Sequence, residues 1–301
     1  MGLLTYTVPA AYDGDTLQNF LRRDCGLSWR MVVKLKRVEQ GMTIDGVPAR
    51  TIDRVKEGQT VTLRMPEDTV RIEGMDMDLD VVWEDDNLLV INKPPYLAVH
   101  PSAGLPDPTL ANGVVAYYHR KGEERSFRPV NRLDRNTSGL LLAGKNAHAV
   151  FAAAGQVKKE YLALVLGHLT GSGTINQPIR VKEGCCITRE VGEGGKDSVT
   201  HWEALTGNDT VTLVRLWLET GRTHQIRVHM SWLGYPLAGD TMYGIDETVM
   251  PRHGLHCFRM QIPHPITGEE LDLKAALPPD MAAIVATLPD GEKIVERLMK
   301  L

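Results

Sequence analysis

The sequence predicts an α+β protein with a small N-terminal α/β module and a larger domain built on a mixed, mainly antiparallel sheet. Its 301 residues are enough for one large core plus a small module. From residue 80 onward, β-rich segments alternate irregularly with helical ones, as in α+β folds. After residue 66 the composition becomes acidic and loses its apolar periodicity. We therefore assign the module to 1–66, a linker to 67–79 and the larger domain to 80–301.

The N-terminal module is expected to form two helices followed by a β-hairpin. Asp15 is placed to cap a helix that runs to Arg23, and Ser28 to cap a second helix that Gly41 terminates. The pair Asp45-Gly46 then follows a β-rich stretch, and Asp-Gly is a strong signal for a two-residue hairpin turn. A further strand is predicted over 58–63.

Positive charge is concentrated in this module. Residues 13–65 contain ten Lys and Arg against seven Asp and Glu, although the whole chain has a net charge of −4. Arg30, Lys34 and Arg37 lie on the outer face of the second predicted helix. Such a face can contact phosphates without reading base sequence, so we predict that it binds RNA. The alternative is a solvated face of a structural module.

The larger domain is predicted to consist mainly of strands, because its apolar segments are short and rich in β-branched residues. The second helix of this domain is expected to start at Thr223, whose hydroxyl can cap it. Strands are expected at 80–84, 88–92, 139–143, 161–166 and 211–218, and helices at 109–119 and 223–233.

One segment of the larger domain concentrates charged and turn-forming residues: Asn131-Arg-Leu-Asp-Arg-Asn-Thr-Ser-Gly139. In an extended chain Arg132 and Asp134 point the same way, and a turn then leads into a buried strand. A nearby guanidinium favours the ionised form of Asp134. On its own this pattern also fits a surface ion pair at a hairpin.

This segment resembles the H-R-L-D-x-x-T-S-G signature of RluA-type pseudouridine synthases. The likeness extends from about residue 80 to about 279 and includes Lys158-Lys-Glu-Tyr161, Gly221-Arg-Thr-His-Gln-Ile-Arg227 and Gly239-Asp-Thr-Met-Tyr-Gly244. The basic N-terminal segment resembles the S-four-like RNA-binding module of many RNA-modifying enzymes. Two residues depart from the signature: Asn131 stands where His is common, and Asn136 where Asp is common.

The resemblance implies an isomerase that modifies uridine in RNA with Asp134 as its essential carboxylate. It also implies that Tyr161 packs on the target base and that Arg227 pairs with Asp134, with Arg222 as the second choice for that pairing. We add Arg132, Arg222, His224 and Gln225 as substrate-binding candidates, Arg132 as a wedge or phosphate clamp. The reaction requires no cofactor. Whether Asp134 attacks C1′ or assists a glycal route stays open.

The expected partner is RNA, with ribosomal RNA favoured over transfer RNA by the N-terminal module. No membrane and no obligate protein partner is expected. Four cysteines without a C-x-x-C pair, together with the lack of a leader or an 18-residue apolar run, predict a cytoplasmic protein. The target uridine and the oligomeric state are not evident from the sequence.

Two other functions compete with this assignment. A metal hydrolase would use His224, His229, His253 and His256 near Asp240, but no H-x-x-x-H pair is present, so we predict no metal site. A non-catalytic RNA-binding or ribosome-assembly factor would keep the basic module, yet it would not require Asp134, Tyr161 and Arg227 together.

Overall fold

A computed structural model describes residues 3–27, 29–65, 72–101, 108–244 and 248–300. The chain divides into two units, Met1–Arg71 and Ile72–Leu301. No helix of the described residues is long and apolar enough to cross a bilayer.

The described residues of the N-terminal unit form a four-stranded antiparallel sheet with two α-helices and a 3-10 helix at Ala10–Tyr12. Its strands pair in the order β1-β4-β2-β3. The predicted hairpin turn is confirmed, because Asp45 and Gly46 have φ angles of 51° and 80°, as a type I′ turn requires. Phe20, Leu21, Val32 and Leu63 are buried in its core. The elements are β1 (Leu3–Thr7), α1 (Leu17–Arg23), α2 (Trp29–Leu35), β2 (Met42–Ile44), β3 (Val47–Pro48) and β4 (Thr60–Arg64).

Two details of these helices differ from the prediction. Thr16, not Asp15, caps α1, since its hydroxyl accepts from the backbone N–H of Asn19 at 3.2 Å. Helix α2 ends at Leu35, well before Gly41. The proposed cap at Ser28 lies outside the described residues.

The residues that the structure describes in the larger unit build one nine-stranded sheet. Its order is β5-β6-β7-β14-β8-β13-β12-β9, and β15 adds to β14. Only β7 and β14 pair in parallel, so the predicted mixed, mainly antiparallel sheet is confirmed for the described residues. Strands β10 and β11 form a separate hairpin. The strands are β5 (Val81–Glu84), β6 (Leu88–Lys93), β7 (Ser138–Gly144), β8 (Lys158–Leu166), β9 (Ser172–Asn176), β10 (Ile179–Val181), β11 (Arg189–Val191), β12 (Val199–Gly207), β13 (Val211–Leu218), β14 (Leu255–Pro263) and β15 (Glu270–Lys274).

In the described part of this unit, five α-helices accompany the sheet. They are α3 (Leu110–Arg120), α4 (Ala147–Ala153), α5 (Gln225–Trp232), α6 (Pro279–Val285) and α7 (Gly291–Lys300). Helices α6 and α7 bury Met281, Val285 and Leu298 in an apolar cluster with residues of β8, β13 and β14. Part of the predicted linker packs on α3, because the N–H of Met75 donates to the carbonyl of Asn112. The functional assignment of the two units stays a prediction.

The contact between β7 and β14 requires glycine at residue 139. Gly139 has a φ of +108° and lies opposite Cys257, and a Cβ there would lie 2.3 Å from the carbonyl oxygen of Cys257. Only glycine fits a position with both restrictions. The start of β7 is thereby fixed against β14, and the segment containing Asp134 comes directly before it.

Candidate active site

The loop that carries Asp134 is bonded to β7. The side-chain oxygen of Asn131 accepts from the N–H of Leu142 at 2.8 Å. Further along, the N–H of Thr137 donates to the carbonyl of Asp134 at 3.1 Å. Asn131, which replaces the commoner His, therefore anchors the loop through its buried amide.

Two buried cations hold the backbone of this loop. Lys93 donates from Nζ to the carbonyl of Arg135 at 3.1 Å, and Arg252 donates from Nη1 to the carbonyl of Asn136 at 2.9 Å. Arg252 is fixed in turn by Asp280 of α6, through Nε and Nη2. Burial lowers the pKa of Lys93 to about 7, with the charge of Arg252 adding to the shift and that of Asp134 opposing it. Neither Lys93 nor Arg252 was among the predicted site residues.

Two neutral histidines support the end of the loop. His253 bonds the hydroxyl of Thr137 at 2.9 Å, and His256 bonds that of Ser138 at 3.0 Å. Burial lowers the pKa of His253 to about 3 and that of His256 to about 4. Both rings are therefore uncharged hydrogen-bonding groups at neutral pH.

Arg227 joins two carboxylates. It donates from Nε and Nη2 to Asp240 at 2.7 and 2.8 Å, and from Nη1 to Asp134 at 3.1 Å. Burial works against the charge of Arg227, but the two carboxylates outweigh it and raise its pKa. In the same way, burial would raise the pKa of Asp240, and Arg227 lowers it. The predicted pairing of Arg227 with Asp134 is thus present, and Asp240 is a partner that we did not predict.

Tyr161 lies on β8 in the centre of the sheet, between Cys257 of β14 and Leu216 of β13. Its ring lines the same pocket as Asp134. Burial raises the pKa of Tyr161 well above its usual value, and the neighbouring Cys257 and Asp134 add to this. A phenol in this setting stays protonated. It can offer a ring face and a hydrogen bond, but it is a poor base.

His224 lies next to Asp134, at the start of α5. Its Nε2 is 3.7 Å from Oδ2 of Asp134, and its Nδ1 is 2.8 Å from the hydroxyl of Tyr243. Its φ is 58°, a left-handed conformation, and it occupies the N-cap position that we had assigned to Thr223. Burial lowers the pKa of His224, with Arg227 opposing the effect of Asp134.

These residues surround a pocket of about 840 Å³, a volume in the range of small-molecule sites. Arg132 and Arg222 both line it, and both are exposed. Arg222 makes no pair with Asp134; its Nε donates to the carbonyl of Asp197 at 3.0 Å.

Gln225 does not reach this pocket, contrary to our prediction. Its amide nitrogen donates to the carbonyl of Val199 and the hydroxyl of Thr200, and its oxygen accepts from Thr220 and the N–H of Arg222. The side chain is 2% exposed. Gln225 therefore attaches α5 to β12 and has no capacity left for a substrate.

The predicted RNA-binding residues belong to the N-terminal unit. Lys34 and Arg37 are exposed on and just after α2, and the side chain of Arg30 lies outside the described part of the chain. Beside them, Trp29 is exposed, and Nζ of Lys36 lies 5.3 Å from the centre of its ring.

The histidines considered for a metal site form hydrogen bonds with separate partners. His229 bonds Thr200 and the carbonyl of Gln177, while His224 bonds Tyr243. Among the residues that the structure describes, no three His, Cys, Asp or Glu side chains are grouped like metal ligands.

Comparison with known proteins shows the family. Residues 87–232 match the family model described as RNA pseudouridylate synthase. The uncharacterized RNA pseudouridine synthase YjbO of Bacillus subtilis is 38% identical over 270 residues, which is 87% of this chain and 95% of that protein. The ribosomal large subunit pseudouridine synthase D of Vibrio parahaemolyticus is 38% identical over 255 residues, covering 78% of each chain.

Solved structures agree with the sequence relatives. The structure of human RNA pseudouridylate synthase domain containing 1 is 32% identical and has a TM-score of 0.57, covering 68% of this chain and 87% of that one. A second human structure, RNA pseudouridylate synthase domain containing 4, is 23% identical with a TM-score of 0.56 and supports the fold. The chain described here therefore belongs to the RluA-type RNA pseudouridine synthases, a family of isomerases that act on RNA.

Proposed function

We propose that this chain converts specific uridines of structured RNA, in ribosomal RNA, into pseudouridine, with Asp134 as the essential carboxylate. The observation that carries the proposal is the pair between Arg227 and Asp134, formed at a pocket that Tyr161 also lines. Arg227 is itself fixed by Asp240, so the carboxylate of Asp134 is oriented before a substrate arrives.

The chemistry fits the groups at this site. The N1–C1′ bond breaks, the uracil turns, C5 bonds to C1′, and the proton of C5 is lost while N1 is protonated. Atoms balance within the nucleotide, so the reaction requires neither a redox partner nor a donor. Asp134 either attacks C1′ or assists removal of the 2′ proton. Because its phenol is held neutral, Tyr161 is better suited to pack on the base than to act as a base.

Ribosomal RNA is favoured as the substrate by two observations. One relative is named a ribosomal large subunit pseudouridine synthase. The N-terminal unit carries exposed Lys34 and Arg37, which suit contact with RNA phosphates. In a duplex the uridine must leave the stack before the reaction, and Arg132 at the pocket is the candidate wedge or phosphate clamp.

Asp134→Asn tests the chemical part of the proposal. The substitution keeps the shape of the side chain and removes its negative charge. We expect pseudouridine formation to disappear while the thermal unfolding curve and RNA affinity stay close to wild type. Asp209→Asn, in the turn between β12 and β13, is the matched control and should keep full activity. An active Asp134→Asn enzyme would refute the mechanism.

The substrate requires a separate experiment. Pseudouridines are mapped in ribosomal and transfer RNA from cells with and without this protein. We expect a site in ribosomal RNA to be lost. A loss confined to transfer RNA would correct the substrate, and no loss at all, with an inactive purified enzyme, would favour the non-catalytic RNA-binding alternative.

A further inference from the structure

Two hydrogen bonds and one longer polar contact lead from the β10–β11 hairpin to Asp134. The backbone N–H of Arg189 donates to the hydroxyl of Tyr243 at 2.9 Å. This hydroxyl is 2.8 Å from Nδ1 of His224, and Nε2 of the same ring faces Oδ2 of Asp134 at 3.7 Å. The orientation of the three groups restricts where protons can lie.

Tyr243 and Asp134 determine which ring nitrogen of neutral His224 carries the proton. A backbone N–H can only donate, so the oxygen of Tyr243 accepts from Arg189. Among the described residues, Nδ1 of His224 is the acceptor that remains for the phenolic hydrogen. At the other end of the ring, Nε2 faces the carboxylate of Asp134. A lone pair on Nε2 would be repelled by this negative charge, whereas an N–H is attracted to it. Both neighbours therefore select the tautomer with its proton on Nε2.

We propose that His224 is a catalytic hydrogen-bond donor, that its Nε2–H stabilises the uracil anion formed during the reaction, and that Tyr243 positions this proton. The proposal rests on the function proposed above. When the N1–C1′ bond breaks, its electron pair stays with the uracil and the charge spreads to the carbonyl oxygens. His224 donates a hydrogen bond to this anion and keeps its proton.

The position of the ring suits this role. The side chain of His224 is 11% exposed and that of Asp134 is 21% exposed, and both line the pocket. A separation of 3.7 Å is too long for a good hydrogen bond, so Nε2–H keeps its capacity for a substrate atom that lies beside Asp134. Donors already aimed at developing charge contribute strongly to catalysis. Burial also lowers the pKa of His224, so the neutral ring is the working form.

Two substitutions of His224 separate this role from a structural one. The amide of Gln extends to the place of Nε2, whereas that of Asn extends only to the place of Nδ1. The backbone favours the opposite choice, because φ is 58° and Asn tolerates left-handed conformations better than Gln. A structural role therefore predicts that His224→Asn is the better enzyme, and the proposed role predicts His224→Gln.

The expected result is a fall in kcat of about 100-fold for His224→Asn, the usual effect of losing one such donor. His224→Gln should stay within about tenfold of wild type, since it keeps a neutral donor near the same point. KM for the RNA should change little in either variant. An Asn variant as active as the Gln variant, or more active, would overturn the proposal.

Tyr243→Phe tests the positioning step without altering His224. It removes only the hydroxyl and keeps the ring, which lies 5.0 Å from the guanidinium carbon of Arg227. Nitrogen-15 NMR of the histidine rings should show His224 protonated on Nε2 in the wild type and a loss of this preference in Tyr243→Phe. We expect kcat to fall roughly two- to tenfold with KM unchanged, as for one hydrogen bond.

Tyr235→Phe, a half-buried tyrosine beside Gly167, is the control and should alter neither the spectrum nor kcat. A wild-type His224 protonated on Nδ1, or an unchanged spectrum and kcat in Tyr243→Phe, would contradict the inference. These failures differ from failure of the proposed function, because in that case the wild-type enzyme itself would form no pseudouridine.

Discussion

Asp240 binds Arg227 with both carboxylate oxygens, at 2.7 and 2.8 Å, and its side chain is fully buried. The guanidinium is thereby held in one plane, and its remaining nitrogen, Nη1, is directed to Asp134 at 3.1 Å. An arginine has the planar fork that this double contact requires, which a lysine lacks. Asp240 thus orients Asp134 through Arg227, without contacting Asp134 itself.

Asp240→Asn should therefore impair both stability and catalysis. It leaves the buried Arg227 with one carboxylate fewer, and breaking a buried pair costs about 3 kcal/mol in free energy of unfolding. We expect kcat to fall at least about tenfold, because Asp134 loses its orientation. Urea unfolding and single-turnover assays measure the two effects.

The matched control for Asp240→Asn is Asp272→Asn. Asp272 also binds an arginine, Arg259, with two oxygens, but the pair is more exposed and neither residue lines the pocket. A partly exposed pair contributes less, about 1 kcal/mol or below, and activity should not change. Equal losses of kcat in the two variants would refute an orienting role for Asp240.

Local features of the fold were predictable because neighbouring residues determine them. The Asp45-Gly46 turn needs two left-handed residues, and an Asp-Gly pair is typical of such a turn. The predicted cap of α5 was wrong for the opposite reason. At α5, the contacts of Gln225 with Val199 and Thr200, on a strand distant in sequence, accompany a left-handed His224 at the cap. No local pattern reveals such contacts.

The site likewise contains residues that the sequence predicted and residues that it did not. The pairing of Arg227 with Asp134, 93 positions apart, was expected from the resemblance of two segments to one family. Asp240 lay within a matching segment, but residue type and spacing alone do not say which of the many acids binds an arginine. Lys93 and Arg252 act through backbone carbonyls of the loop, and any sequence presents those carbonyls.

Acid should destabilise the fold through His253 and His256. Their pKa values are lowered from 6.5 to about 3 and about 4 in the folded chain. Below pH 6.5 the unfolded chain binds protons that the folded chain does not bind, so stability falls as pH falls toward these lower values. Each ring contributes about 1.4 kcal/mol per pH unit once the unfolded ring is protonated.

His256→Asn provides the check. Asn can still bond the hydroxyl of Ser138, but it does not titrate, so unfolding free energy should depend less on pH between about 6 and 5. His168→Asn, at an exposed position after β8, is the control and should leave the dependence as it is in wild type. A wild-type pH dependence in His256→Asn would contradict the assignment of this ring as a buried neutral group.

Arg132 should contribute to RNA affinity through a phosphate. It is exposed and lines the pocket beside Asp134. Removing one phosphate contact lowers the slope of log K against log salt by about 0.7 to 0.9. Arg132→Ala should therefore weaken binding and reduce this slope, whereas Arg297→Ala, exposed on α7, should not. A large loss of kcat with an unchanged slope would assign Arg132 to the wedge role instead.

Reversing the charges on and just after α2 should weaken RNA binding without altering the chemical step. Lys34→Glu with Arg37→Glu changes two exposed side chains, and the adjacent Val32 and Leu35 that fill the core stay in place. Two lost phosphate contacts and two new repulsions should lower affinity for a large RNA fragment at least about tenfold at 0.1 M salt. The maximal rate at saturating RNA should stay near wild type, because Asp134, Tyr161 and Arg227 are untouched.

The control for this reversal is Lys56→Glu with Arg50→Glu, two exposed cations of the same unit outside α2. Both double variants change the net charge by the same amount, so a general electrostatic effect would reduce their affinities equally. Only a specific contact at α2 makes the first variant much weaker. Filter binding across a salt series, with circular dichroism to verify folding, separates these cases, and equal affinities would refute an RNA-binding face on α2.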